Sequence, residues 1–149
     1  MRVLIQRSNK SFVSVDNKIT GAIDRGLVLL VGFTHTDTEE DIDYLIQKIL
    51  KLRIFEDENN TMNKSILEVG GAILSISQFT LYANTQKGNR PSYIEAMKHQ
   101  EAKEMYQLFN QKLSQYITVQ TGIFGADMKV SISNDGPITI MLESRKKDD

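Results

Sequence analysis

An α+β fold in one domain is what this sequence predicts: a curved, largely antiparallel, barrel-like β-sheet with two long helices packed outside. Two observations carry it. The periodic segments run in the order strands, helix, strand, helix, strands, which suits a mixed layer architecture. The 149 residues, uninterrupted by a repeat, a low-complexity stretch or a linker, suit a single domain (1–149) with a sizeable core.

Taken in order, residues 2–7 read as a first strand, and Ser11-Phe12-Val13-Ser14-Val15 alternates like a half-buried second one. Asp16-Asn17 is a turn signal that returns residues 18–23 as the hairpin partner. Residues 26–33, Gly-Leu-Val-Leu-Leu-Val-Gly-Phe, are apolar on both faces and predict a central strand. Thr36-Asp37-Thr38-Glu39 has the form of a capping box, with Ile42, Leu45, Ile46, Ile49 and Leu50 following at helical spacing. That helix ends near Arg53, before Asp57-Glu58-Asn59-Asn60, which reads as a solvated loop.

After the Gly70-Gly71 turn signal, Ala72-Ile73-Leu74-Ser75-Ile76 reads as a buried strand. It runs into Ser77-Gln78-Phe79-Thr80-Leu81-Tyr82-Ala83, which sets polar groups at the rim of a core, where they must find partners. Ser92 and Glu95 repeat the capping-box spacing ahead of an apolar stripe of Ala102, Met105, Tyr106, Phe109 and Leu113. Strands at 117–121, 128–133 and 138–143 follow, with Asn134-Asp135-Gly136-Pro137 expected to close the last hairpin. Residues 144–149 are a charged tail, expected to be disordered.

Composition narrows the function by exclusion. With no cysteine there is no disulfide, no thiol nucleophile and no zinc–thiolate site. A formal net charge of -1 makes no electrostatic case for nucleic acid. Apolar runs fall far short of the ~18 residues of a membrane span, and Gln6-Arg7 interrupts any secretory segment. The two histidines are poor bases by position: His35 precedes a helix cap, and His99 lies in the polar run Lys98-His99-Gln100-Glu101. That leaves hydroxyls, Gln78, Arg7, Lys87, Arg90 and main-chain amides, which stabilise an oxyanion without titrating. No base is visible to activate Thr80, so positioning or a group carried by the substrate has to contribute. Gly136-Pro137 adds a restricted turn whose bond, if cis, would set two carbonyl oxygens on one side as acceptors for an ammonium.

These motifs resemble one family. Ser77-Gln78-Phe79-Thr80-Leu81, Lys87-Gly88-Asn89-Arg90-Pro91-Ser92 and Asn134-Asp135-Gly136-Pro137-Ile138-Thr139 are similar to the motifs of D-aminoacyl-tRNA (D-tyrosyl-tRNA) deacylases, and the flanks are collinear from Ile5-Gln6-Arg7 onward. The resemblance implies hydrolysis of the ester between a D-amino acid and the 3′-terminal adenosine of tRNA, with glycyl-tRNA as a further substrate and L-aminoacyl esters rejected. It also implies a cytoplasmic homodimer without cofactor or metal, in which a cis Gly-Pro pair enters the partner's active site. Carried over, Gly136 and Pro137 face the substrate ammonium, while Ser77, Gln78, Phe79 and Thr80 cradle the ester and adenosine. Arg7 holds the Gly-Pro turn, and Phe124, Met128 and Ala102 line the pocket. The sequence departs from the family at Ile138, commonly valine, at Ser8, usually apolar, and at Asn84, often acidic. The other reading open at this level is a dimeric module that binds an amino acid or nucleotide without chemistry.

Overall fold

The computed structural model describes residues 1–144. The chain opens with β1 (Arg2–Ser8), β2 (Ser11–Val15), β3 (Lys18–Ile23) and β4 (Gly26–Gly32), within a residue of the expected bounds. Asp16 and Asn17 take φ of 50° and 65°, the left-handed pair that a two-residue hairpin between twisted strands requires. α1 (Glu39–Lys51), the small hairpin β5 (Phe55–Glu56) and β6 (Met62–Lys64), and β7 (Ala72–Ser77) follow. α2 (His99–Leu113), β8 (Val119–Thr121), β9 (Lys129–Ser131) and β10 (Asn134–Glu143) complete the described chain.

Five strands form one sheet in the order β10-β1-β4-β7-β8, and three form another in the order β3-β2-β9. β4 is central, antiparallel to β1 and parallel to β7. Its unbroken apolar run has a physical reason, since both its faces are covered. Leu27, Leu29 and Val31 share a core with Ile42, Leu45 and Ile49 of α1 and Phe109 and Leu113 of α2. Val28 turns to a second core with Val13, Ile23, Leu74 and Ile76, between the two sheets. Each such side chain contributes about 1.5–3 kcal/mol when fully buried. The layers are therefore helices, five-stranded sheet and three-stranded sheet. The expected α+β domain with two outer helices is present, but no barrel closes, because β10 and β8 stand at opposite edges.

Three local expectations are corrected, and the end of one expected strand is sharpened. The capping box lies two residues later than expected: Thr38 N–H donates to Asp41 Oδ2 at 2.8 Å and Asp41 N–H to the Thr38 carbonyl at 3.0 Å. Asp37 is otherwise engaged, accepting from Thr34 N–H at 2.7 Å and from the buried Met1 ammonium at 2.6 Å. The second helix starts at His99, not near Ser92. The 92–97 stretch is instead laced to its surroundings, through Ser92–Asn84 amide–carbonyl bonds of 2.8 Å each way, Met97 N–H to the Phe33 carbonyl at 3.0 Å, and Thr34 Oγ1 to the Glu95 carbonyl at 2.5 Å. The strand after Gly71 ends at Ser77, and Phe79–Tyr82 is a 3₁₀ turn. Finally, Asn134-Asp135-Gly136-Pro137 closes no hairpin. β9 pairs with β2 and β10 with β1, so this stretch is a corner between two sheets and already belongs to β10. Of the tail, only Ser144 is described. Its N–H bonds the Met1 carbonyl at 3.0 Å and its hydroxyl bonds Asp41 Oδ1 at 2.7 Å.

Candidate active site

Because β4 and β7 are parallel, their carboxyl ends finish side by side, with Val31 paired to Ser77. Gln78 N–H donates to the Val31 carbonyl at 2.7 Å, the last rung before β4 ends. Without a strand to follow, the chain tightens into the 3₁₀ turn, closed by Leu81 N–H to the Gln78 carbonyl at 3.3 Å. The amides of Phe79 and Thr80 precede that bond and have no acceptor within the turn. Arg2 of β1 braces the turn from behind, donating to the Leu81 carbonyl at 2.8 Å with its guanidinium 4.5 Å from the Tyr82 ring centroid. Burial pushes the Tyr82 phenol up, so it stays neutral.

A cavity of about 550 Å³ opens at this strand end. Ser77, Gln78 and Phe79 form one wall, and His99 and Ala102 of the first turn of α2 form another. Phe124 and Gly125, from the β8–β9 connection, and Met128 complete it. Beneath Phe124, 5.8 Å away between ring centroids, Tyr106 donates its buried hydroxyl to the Ser75 carbonyl at 2.7 Å, tying α2 to β7. Burial is the main cause that raises the Tyr106 phenol above its ordinary value. Phe79 and Tyr93 meet edge to face at 5.0 Å and both are exposed, so the rim of the cavity carries two aromatic rings.

Six of the sequence-predicted residues thus share one cavity: Ser77, Gln78, Phe79, Ala102, Phe124 and Met128. Thr80 stands just outside the lining. Its hydroxyl accepts from Gln78 Nε2, and among the described residues no imidazole or carboxylate hydrogen-bonds it. Arg7, Gly136 and Pro137 lie elsewhere, on β1 and on the edge strand β10. The Arg7 guanidinium is buried, with Nη1 donating to the Ile54 carbonyl at 2.8 Å. Its Nε lies 3.0 Å from Asp135 Oδ2, an ion pair by distance although that N–H has no aligned acceptor. Asn134 Nδ2 donates to the carbonyls of Arg7 and Ile138 at 3.0 Å each. The Gly136-Pro137 bond held by this frame is cis, and both residues are exposed.

Sequence reasoning missed His99, Tyr93 and Met97 as lining residues. Reading Ser92 as a helix start put Tyr93 and Met97 on a helix that does not exist there. His99 is exposed, as its polar neighbours suggest, yet it stands on the cavity wall with its ring 5.0 Å from that of Phe124. That contact spans 25 positions of chain, and no local pattern announces it. Among the described residues the lining holds no carboxylate, so its polar equipment is the Ser77 hydroxyl, the Gln78 carboxamide, the imidazole and the Tyr93 phenol, with the amides of the 3₁₀ turn beside them.

Two solved structures are similar over almost the whole chain. A c-Myc DNA Unwinding Element Binding Protein is 38% identical with a TM-score of 0.93, over 98% of this chain and 100% of that one. A probable eukaryotic D-amino acid tRNA deacylase has a TM-score of 0.81 at 18% identity, over 95% and 98% of the two chains, a likeness of fold. Residues 4–143 match the sequence profile of the D-Tyr-tRNA(Tyr) deacylases. The chain belongs to the D-Tyr-tRNA(Tyr) deacylase family, hydrolases of the aminoacyl-tRNA ester.

Proposed function

We propose that this protein is a chiral proofreading enzyme of the cytoplasm that clears D-amino acids, and glycine, from tRNA while leaving L-aminoacyl-tRNA intact. It works as a homodimer. The observation that carries the reading is a division of parts: the cavity holds Ser77, Gln78 and Phe79, while Gly136-Pro137 projects from an edge strand outside it. In the dimer, the Gly136-Pro137 turn of one copy enters the cavity of the other, meets the substrate α-ammonium and blocks the space an L side chain needs. Arg7, through Asp135 and Ile54, keeps that turn in shape.

The chemistry follows from what the site lacks. Water adds to the ester carbonyl, and the main-chain amides near Phe79 and Thr80 stabilise the developing oxyanion, each such donor being worth about 10²–10³ in rate. The terminal ribose 2′-hydroxyl activates the attack, in the role that a protein base would otherwise fill. Collapse of the tetrahedral intermediate breaks the bond to the ribose 3′-oxygen, which takes a proton and leaves as tRNA, while the free D-amino acid departs. Thr80 supports the turn through Gln78 and forms no covalent intermediate. Incubation with D- and L-tyrosyl-tRNA tests the reading: a deacylase of this kind clears only the D ester. Two intact esters would instead identify a binding module.

A further inference from the structure

We propose that His99 is a specificity-determining residue that reads the polar edge of the nucleobase at the end of the substrate, an inference that rests on the deacylase reading above. The cavity has two walls of different chemistry. Ser77 and Gln78 supply hydroxyl and carboxamide on one side, whereas Ala102, Phe124 and Met128 give the other a smooth apolar surface with an aromatic ring. Such a surface takes a flat heterocycle by stacking, as aromatic side chains do with nucleobases. Stacking alone reads no sequence, since every base has a π-face, so discrimination needs a polar group at the base edge.

His99 is the residue in position to supply it. It belongs to the same wall and brings a ring with one donor and one acceptor nitrogen when neutral. Its ring is set at 62° to Phe124, with centroids 5.0 Å apart, an edge-to-face contact, and the residue is exposed. Among the described residues neither His99 nitrogen makes a hydrogen bond, whereas His35 Nε2 lies 2.7 Å from the Ile94 carbonyl. The neighbouring backbone makes room for the ring. Gly125 has φ of 79°, and a Cβ there would come within 2.9 Å of His99 Cε1. An exposed imidazole on the cavity wall, with no hydrogen-bond partner among the described residues, has a donor and an acceptor to offer a base edge.

Two measurements test the assignment. In deacylation of D-tyrosyl-tRNA, His99→Ala should raise KM about threefold to tenfold, the worth of one neutral hydrogen bond, with kcat within about twofold. His99→Gln, which keeps a donor and an acceptor, should recover most of the loss, whereas His99→Phe, which keeps only the aromatic contact, should not. A structural role would instead make Phe the better replacement, and an unchanged KM in His99→Ala would overturn the proposal. The second measurement does not depend on turnover. The chain has two histidines, so proton–carbon spectra resolve both imidazoles, assigned with the His35→Gln and His99→Gln variants. Adenosine added to the wild-type protein should shift the His99 signals and leave those of His35 in place, with cytidine giving a weaker effect. A still His99 signal at saturating adenosine would sink the assignment even if deacylation is normal. A shifted one would uphold it even if the deacylase reading fails.

Discussion

Replacing Arg7 with alanine removes the only buried guanidinium that joins β1 to the Gly136-Pro137 corner among the described residues, and its cost can be worked from the contacts. The bond from Nη1 to the Ile54 carbonyl is 2.8 Å and buried. Leaving that acceptor without its donor costs about 1–3 kcal/mol. The pair with Asp135 is 3.0 Å long, but the Asp135 side chain is 45% exposed, so it adds only about 0–1 kcal/mol. Glu56, at 3.9 Å and half-exposed, adds little. A total near 2–3 kcal/mol predicts a melting temperature lower by roughly 5–10 °C in a domain of this size. The functional effect should be larger than the stability effect, because Asp135 then no longer holds the corner next to Gly136. D-tyrosyl-tRNA turnover should fall at least tenfold at a temperature where the variant is fully folded, as judged by circular dichroism. Arg7→Lys keeps the charge but not the fork of donors, and should lie between the two. If Arg7→Ala lost stability but deacylated at the wild-type rate, Arg7 would be a structural residue and its link to the turn would be wrong.

Three further outcomes follow from the same contacts. Thr80→Val should keep turnover within about tenfold, since among the described residues no imidazole or carboxylate hydrogen-bonds the Thr80 hydroxyl; a loss of ~10⁴-fold in a folded variant would restore a nucleophile mechanism. A D-aminoacyl-tRNA ending in 2′-deoxyadenosine should be hydrolysed very slowly, and normal turnover would refute the role given to the ribose hydroxyl. Gly136→Ala places a Cβ 2.9 Å from Ile138 Cγ1 and 3.2 Å from the Arg7 guanidinium, at φ of 111°. It should cost about 1–3 kcal/mol by urea unfolding and depress D-substrate turnover more than Arg7→Lys does; wild-type activity would show that the corner tolerates reshaping.

How much of this was readable in the chain depended on range. β2 followed from alternation at Phe12-Val13-Ser14, β3 from the Asp16-Asn17 turn, β4 from its unbroken apolar run and α1 from the Ile42–Leu50 spacing, because each of these signals is local to one element or one turn. Asn134-Asp135-Gly136-Pro137 misled, since its turn chemistry is local while the choice of β1 over β9 as partner is made by distant strands. The capping box read at Thr36-Glu39 lies at Thr38-Asp41, and the ammonium of Met1, which engages Asp37, was invisible to spacing. In the site, Ser77 and Gln78 announced themselves as polar groups following a buried run. Ala102, Phe124 and Met128 look like ordinary core positions, so only the family resemblance singled them out. His99 looked solvated because its helix neighbours are polar, and its wall position comes from the β8–β9 connection folding back over it.

Chirality, dimerisation and the two-part site all depend on one claim, that the Gly136-Pro137 turn of one copy completes the cavity of the other. Subunit mixing measures it. A Gly136→Ala chain retains a sound cavity, and a Phe79→Ala/Ala102→Leu chain retains a sound turn while its cavity is spoiled. Each homodimer should be nearly inactive on D-tyrosyl-tRNA. After dissociation and reassociation at equal concentrations, about half of the molecules are mixed dimers with one intact site, so activity should rise to about a quarter of the wild-type value per chain. If the mixture stays as inactive as its components, although mass spectrometry shows mixed dimers present, the site is not shared and the account is contradicted.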